Sequence, residues 1–218
     1  MKIIVYATNN PEKNQIVDAE VVELLNKDAK ISYVTAKNDP EKKDFEAFKD
    51  WYGKLGYKNI ACFDLGKDYS LDVEEVALQG NVVCIDDDNP FNTLGMIIKR
   101  NLGGKLGEFV KKGGVLIGIG KGGMLIGRAI KNASLLMEDV ENTYNVDGGK
   151  ALEVTNFNLF PHYKDSEELD EKLLTNSKTT NIIALREGEG IIVWDDDKFI
   201  IGEPQLFFLG NKELLERF

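Results

Sequence analysis

The chain has 218 residues, enough for one well-buried domain and tight for two. Apolar residues make up 43% and charged residues 29%, with 5 prolines and no low-complexity tract, so a disordered chain is excluded. The formal net charge of −10 repels phosphate backbones and anionic membrane surfaces, which argues against nucleic acid or membrane as a general partner.

The first ten residues, MKIIVYATNN, hold one short apolar run, without the hydrophobic region or small-residue cleavage site of a signal peptide. No run approaches the roughly 20 apolar residues that span a bilayer. Ile3 to Ala7 reads as a buried strand. Pro11 then opens a helical stretch that places Ile16, Val17, Val21, Leu24 and Leu25 on one face. Ile31 to Ala36 is a second strand. Asp39-Pro40 predicts a helix start, an N-cap acceptor followed by a proline whose φ is already helical. Phe45, Phe48, Trp51, Tyr52 and Leu55 follow at helical spacing and read as core. Asn59 to Leu65 is a third strand, Asp72 to Gln79 a short helix, Val82 to Ile85 a fourth strand, and Phe91 to Arg100 a helix. Gly114 to Gly120 is nearly all apolar, which places it mid-sheet with both faces covered. Helix-compatible sequence runs from Met124 to Ile130.

Beyond that point the pattern changes. Lys131 to Lys164 is irregular and Ser166 to Leu174 looks helical. Three short strands follow, IIAL, GIIVW and FIIG, with Asp195-Asp196-Asp197 turning between the last two. The predicted fold is one α/β domain over residues 1–218. It has a three-layer, doubly wound, mostly parallel sheet with a small antiparallel edge at the C-terminus. Cys62 and Cys84 lie in apolar strand-like runs and read as buried free thiols in a reducing compartment, so a cytoplasmic location is expected. No Cys or His spacing suggests zinc.

Ligands of open parallel sheets bind at the carboxyl ends of the strands. Three segments converge there: the loop after Ile85, the turn after Ile119, and the segment around His162. The turn reads Gly118-Ile119-Gly120-Lys121-Gly122-Gly123. A glycine-rich strand-to-helix turn is either a nucleophile elbow, G-x-S-x-G, or a phosphate cradle, G-x-G-x-x-G. Gly118, Gly120 and Gly123 match the second pattern. However, the unit comes fifth in the sheet, and no strand-ending acidic residue follows about 20 positions later. The elbow, for its part, lacks a nucleophile, because Ser32, Ser70, Ser134, Ser166 and Ser177 all lie outside such a turn. His162, in Leu159-Phe160-Pro161-His162-Tyr163, is the single histidine and the one imidazole available as a general base.

These pieces together resemble the dipeptidase E and cyanophycinase-type serine peptidase family. That family orders a Gly-Gly-Asn-Thr-Phe turn, a G-x-S-A-G-A elbow, a Pro-His-Tyr/Phe segment and a late strand pair. This chain offers Asp87-Asp88-Asn89-Pro90-Phe91, then Gly118 to Gly123, then Pro161-His162-Tyr163, then Ala184 to Val193. The resemblance covers Ile31 to Gly202. It implies a fold like that of class I glutamine amidotransferases and a serine hydrolase that favours acidic dipeptides, with His162 as base. The resemblance also implies a triad acid, which it leaves unassigned; Glu138 and Asp139 lie in the corresponding stretch.

The departures from the pattern are as informative. Gly120 stands at the nucleophile position, so no acyl-enzyme forms by that route. Loss of a triad nucleophile costs on the order of 10⁶ in turnover. Lys121 replaces a small alanine and precedes Gly122. Asp87 and Asp88 replace glycines beside the oxyanion hole, where a carboxylate opposes the charge that acyl transfer develops. Opposite charges introduced together offset each other in a cleft, so Lys121 is expected to pair with Asp87 or Asp88.

The expected function is that of a peptidase E-like protein without serine-peptidase activity, binding a small acidic peptide or amino acid, as monomer or homodimer. Neither a metal nor another cofactor is expected. Two alternatives are a hydrolase that uses His162 with water or with a metal on Asp86, Asp87 and Asp88, and a nucleotide-binding module built on the glycine-rich turn.

Overall fold

The computed structural model describes residues 1–37, 39–67, 76–137, 141–147 and 149–217. Five strands come in the predicted places: β1 (Lys2–Tyr6), β2 (Lys30–Thr35), β3 (Asn59–Asp64), β4 (Val82–Ile85) and β5 (Val115–Ile119). They are interleaved with α1 (Gln15–Leu24), α2 (Lys43–Lys54), α3 (Pro90–Lys99) and α4 (Leu102–Lys111). The elbow continues into a single helical turn, α5 (Lys121–Met124). The last third supplies β6 (Asn158–Phe160), α6 (Glu167–Asn176), β7 (Ile182–Ala184), β8 (Gly190–Trp194), β9 (Asp197–Ile201), β10 (Gln205–Phe208) and β11 (Asn211–Leu214).

The main sheet has seven strands in the order β3-β2-β4-β5-β1-β8-β9. Its first five strands are mutually parallel, whereas β8 runs antiparallel to β1 and β9 antiparallel to β8. Alternation along β1 shows why the strands are apolar throughout. Ile3 and Val5 enter one core with residues of α3 and α4, while Ile4 and Tyr6 enter the other with residues of α1 and α2. Successive strand side chains point to opposite faces, and here neither face meets water. The aromatic stripe of α2 is core as expected. Trp51 also donates its indole N–H to the buried Asp18 carboxylate at 2.8 Å, and that carboxylate accepts from the Tyr6 hydroxyl at 2.9 Å.

Several expectations need correction. Ile182–Ala184 does not extend the main sheet. It joins a second, four-stranded sheet, β11-β10-β7-β6, in which it pairs parallel to β6 and antiparallel to β10. The segment read as irregular contains β6 and a 3-10 turn at Lys131–Leu135. Helix α4 lies where no element was expected. The helix after the elbow stops at Met124 rather than reaching Ile130. Ile16 is 65% exposed, because α1 begins at Gln15 and turns its Val17 and Val21 face inward. Asp39-Pro40 does not open α2, which begins at Lys43, although the Asp39 carboxylate reaches forward to accept from the Asp44 N–H. Of the helix expected at Asp72 to Gln79, Val76 to Leu78 are helical, and residues 68–75 lie outside the described residues. Cys62 and Cys84 are free, with Cys84 buried and Cys62 half-buried. Among the described residues no helix is long and apolar enough to cross a membrane.

Candidate functional site

Strands β4 and β5 are neighbours, so their carboxyl ends deliver the aspartate run and the glycine-rich turn side by side. The turn is pressed against the exit of β4. A Cβ at Gly122 would stand 2.4 Å from the carbonyl oxygens of both Ile85 and Asp86, so glycine is required there. Gly120 has φ +50 and ψ −125, a backbone region that L side chains rarely adopt, and its N–H donates to the Tyr6 carbonyl of β1 at 2.9 Å. The elbow geometry is therefore kept, although no side chain projects from it.

A carboxylate fills the space instead. An ideal Cβ on Gly120 would lie 2.3 Å from Asp87 Cγ and 2.5 Å from each of its oxygens. Asp87 Oδ1 accepts from the Lys121 N–H at 2.9 Å and lies 2.6 Å from Lys121 Nζ. Asp87 Oδ2 lies 2.9 Å from His162 Nε2. In an elbow, the amide after the nucleophile position donates to the oxyanion. Here that amide is occupied by the protein's own carboxylate.

The Asp87 side chain is 7% exposed, against 22% for Lys121 and 25% for His162. Burial pushes the Asp87 carboxyl up. The His162 hydrogen bond and charge, followed by the Lys121 ammonium, outweigh it and hold the group well below the usual carboxylate range. An ionised carboxylate only accepts, so His162 Nε2 carries the hydrogen and donates.

The other two aspartates face elsewhere. Asp86 takes the Asp87 N–H on Oδ1 at 2.7 Å, and its Oδ2 lies 3.6 Å from Lys37 Nζ. Asp88 accepts from the Ala36 N–H at 3.1 Å and the Asn89 N–H at 2.6 Å. Burial raises the carboxyls of both Asp86 and Asp88. Three consecutive residues on a bend thus point to three sets of partners. Among the described residues no group of three His, Cys, Asp or Glu side chains is arranged to hold a metal. Asn89 is a helix cap. Its side chain accepts from the Phe91 and Asn92 amides ahead of Pro90 at the first turn of α3. Glu138 and Asp139 lie outside the described residues.

His162 follows β6 and has φ +53, a left-handed backbone for a residue with a side chain. The next residue fixes it there. The Tyr163 N–H donates to the Leu185 carbonyl at 2.9 Å. The Tyr163 hydroxyl reaches Asp165 and Asp170, and its ring lies 5.2 Å from the Arg186 guanidinium and 5.3 Å from the Lys212 ammonium. Arg186 pairs with Asp165, and Lys212 with both Asp165 and Asp170. Reasoning from sequence missed this network, because its hydrogen-bonded members lie up to 47 residues apart and no spacing links them. A cavity of about 930 Å³ opens at the opposite, amino ends of the strands, beside Lys2, Ala29, Phe109, Val115 and Trp194, and holds none of these residues.

Comparisons with known proteins place the fold. The chain is similar to the crystal structure of a candidate peptidase E protein from Listeria monocytogenes EGD-e, at 17% identity and a TM-score of 0.74, over 91% of this chain and 96% of that one. It is also similar to the structure of a peptidase from an acI-B1 actinobacterium, at 14% identity and a TM-score of 0.72, over 98% of this chain and 93% of that one. At these identities the likeness is one of fold. A search of curated proteins finds no match. The model of peptidase family S51 matches residues 4–201, from β1 through β9, and the chain belongs to that family.

Proposed function

We propose that this chain is a peptidase family S51 protein whose serine route is closed, and that it serves as a non-hydrolytic binding or regulatory protein for a small acidic peptide or amino acid. The observation that carries this reading is the Asp87 carboxylate lying within 2.5 Å of where a Gly120 side chain would project. A serine mechanism needs a hydroxyl at that point, an imidazole facing it, and a free amide to receive the oxyanion. Gly120 supplies no hydroxyl, His162 faces Asp87, and the Lys121 amide is already bonded. The peptidase names of the two structural relatives and the family match support an ancestry in peptide recognition.

A second reading rests on the same pair. An imidazole hydrogen-bonded to a carboxylate is a general base for water, so a hydrolysis that bypasses serine is chemically available through the His162 Nδ1. The deciding experiment incubates purified protein with Asp-Leu and Asp-Ala dipeptides and follows released amino acid, with His162→Ala and Asp87→Asn beside the wild type. Release no greater than in His162→Ala supports the closed route. Release that falls in both variants refutes the non-hydrolytic reading and supports the water mechanism.

A further inference from the structure

The Asp87 carboxylate behaves as a guest in a pocket whose walls are donors. One oxygen receives the Lys121 amide and ammonium, and the other receives the His162 imidazole. Such a fork, carrying positive charge and fixed N–H groups, fits a carboxylate from any source. The backbone that carries the donors is held by bonds that do not involve Asp87. The elbow amide is fixed by the turn against β4 and by the Gly120 bond to Tyr6, and the backbone next to His162 by the Tyr163 bond to Leu185. The elbow amide and the stems of Lys121 and His162 therefore stay in place when the guest departs. The way in is open as well, since Lys121 and His162 reach solvent while the carboxylate between them is buried.

We infer that the Lys121 amide, the Lys121 ammonium and the His162 imidazole form a carboxylate-binding site, that Asp87 occupies it as an internal ligand, and that an external carboxylate binds by displacing Asp87. This rests on the non-hydrolytic binding reading, to which it adds the ligand class and the gate. A tethered competitor acts at millimolar effective concentration or above, so the apparent affinity for a free carboxylate falls by the fraction of time the pocket stands open. Removing the competitor unmasks the site.

The test titrates the full-length wild type, Asp87→Ala and Asp87→Ala/Lys121→Met with acetate and formate. Calorimetry and the NMR signals of the single imidazole, His162, give the readout. Asp87→Gly serves in the same role, since it removes the same carboxylate with a different backbone preference. The expected result is saturable binding to Asp87→Ala, tighter than to wild type by about tenfold or more, and weakened about tenfold by Lys121→Met. Two further ligands separate the sources of the carboxylate. Ala-Ala presents only a terminal carboxylate, and an N-acetylated, C-terminally amidated aspartate presents only a side-chain one. Binding of either identifies the group the site accepts. Acetate binding that is equal in wild type and both Asp87 variants, or that is indifferent to Lys121→Met, overturns the inference. That failure leaves the closed serine route standing, whereas dipeptide hydrolysis by wild type removes the non-hydrolytic reading whatever acetate does.

Discussion

Restoring the hydroxyl is the sharpest probe of the site, and the geometry predicts that Gly120→Ser alone is badly tolerated. Two terms add. A non-glycine residue held at φ +50 costs about 1–2 kcal/mol. The new Cβ also arrives 2.3 Å from Asp87 Cγ, so the carboxylate must leave its partners. Breaking a fully buried pair costs about 3–5 kcal/mol, but Lys121 and His162 each reach solvent, which reduces this to about 2–3 kcal/mol. The sum is about 3–5 kcal/mol, a fall in Tm of roughly 6–20 °C for a chain of this size. Asp87→Ala by itself loses the same bonds, about 2–3 kcal/mol. The double variant bears the strain and loses the bonds once, so it should be about as stable as Gly120→Ser alone. Its coupling term is then about 2–3 kcal/mol in favour of the pair. Urea unfolding of the four proteins at pH 7 measures this. Destabilisations that add to within about 0.5 kcal/mol would show that Asp87 does not occupy the space beside Gly120.

Other perturbations follow from the same contacts. Asp87 is held below its unfolded value, so its stabilisation is present above an unfolded pKa of about 3.9 and is lost as pH falls. The stability gap between wild type and Asp87→Asn should therefore narrow from pH 6 to pH 3 in denaturant titrations, and a gap that widens contradicts the assignment. Gly122→Ala forces a methyl onto the carbonyl oxygens of Ile85 and Asp86 and should cost about 3 kcal/mol or more, read as a lowered urea midpoint. Gly104→Ala, in α4 with nothing within 4 Å of the new methyl, should instead stabilise by about 0.5–1 kcal/mol. Tyr163→Phe removes the hydroxyl that joins Asp165 to Asp170 and should destabilise by about 1–2 kcal/mol. It should also broaden or shift the His162 imidazole resonances.

How far the sequence foretold this molecule depends on the kind of signal. Strands β1, β2, β4 and β5 declared themselves, because a strand covered on both faces must be apolar throughout. Helix α4 did not, since Gly103, Gly104 and Gly107 dilute its pattern with the poorest non-proline helix former. Strands β6, β10 and β11 have only three or four residues, too few for a period to register, and although Ile182–Ala184 reads as a strand, nothing local tells it which of two sheets to join. At the site, charge complementarity anticipated a Lys121 partner in Asp87 or Asp88. The backbone bend decided between them, turning Asp88 toward Ala36. The meeting of His162 with Asp87 spans 75 residues and is a product of tertiary structure alone.

The position of β1 has a consequence for how the chain folds. It precedes the other ten strands in sequence, yet it lies inside the sheet, between β5 at residues 115–119 and β8 at residues 190–194. Its backbone N–H and C=O groups must stay unpaired on one side until most of the chain has been synthesised, and long-range pairing of this kind is slow and prone to aggregation. A nascent or truncated chain ending before Gly190 would leave Lys2–Tyr6 as a bare sheet edge, open to any other extended segment. The Gly120 amide hangs on the Tyr6 carbonyl from the β5 side, so the elbow rests on a strand whose other edge is still open until β8 arrives. Chaperone dependence should therefore be greatest for chains stalled between β5 and β8.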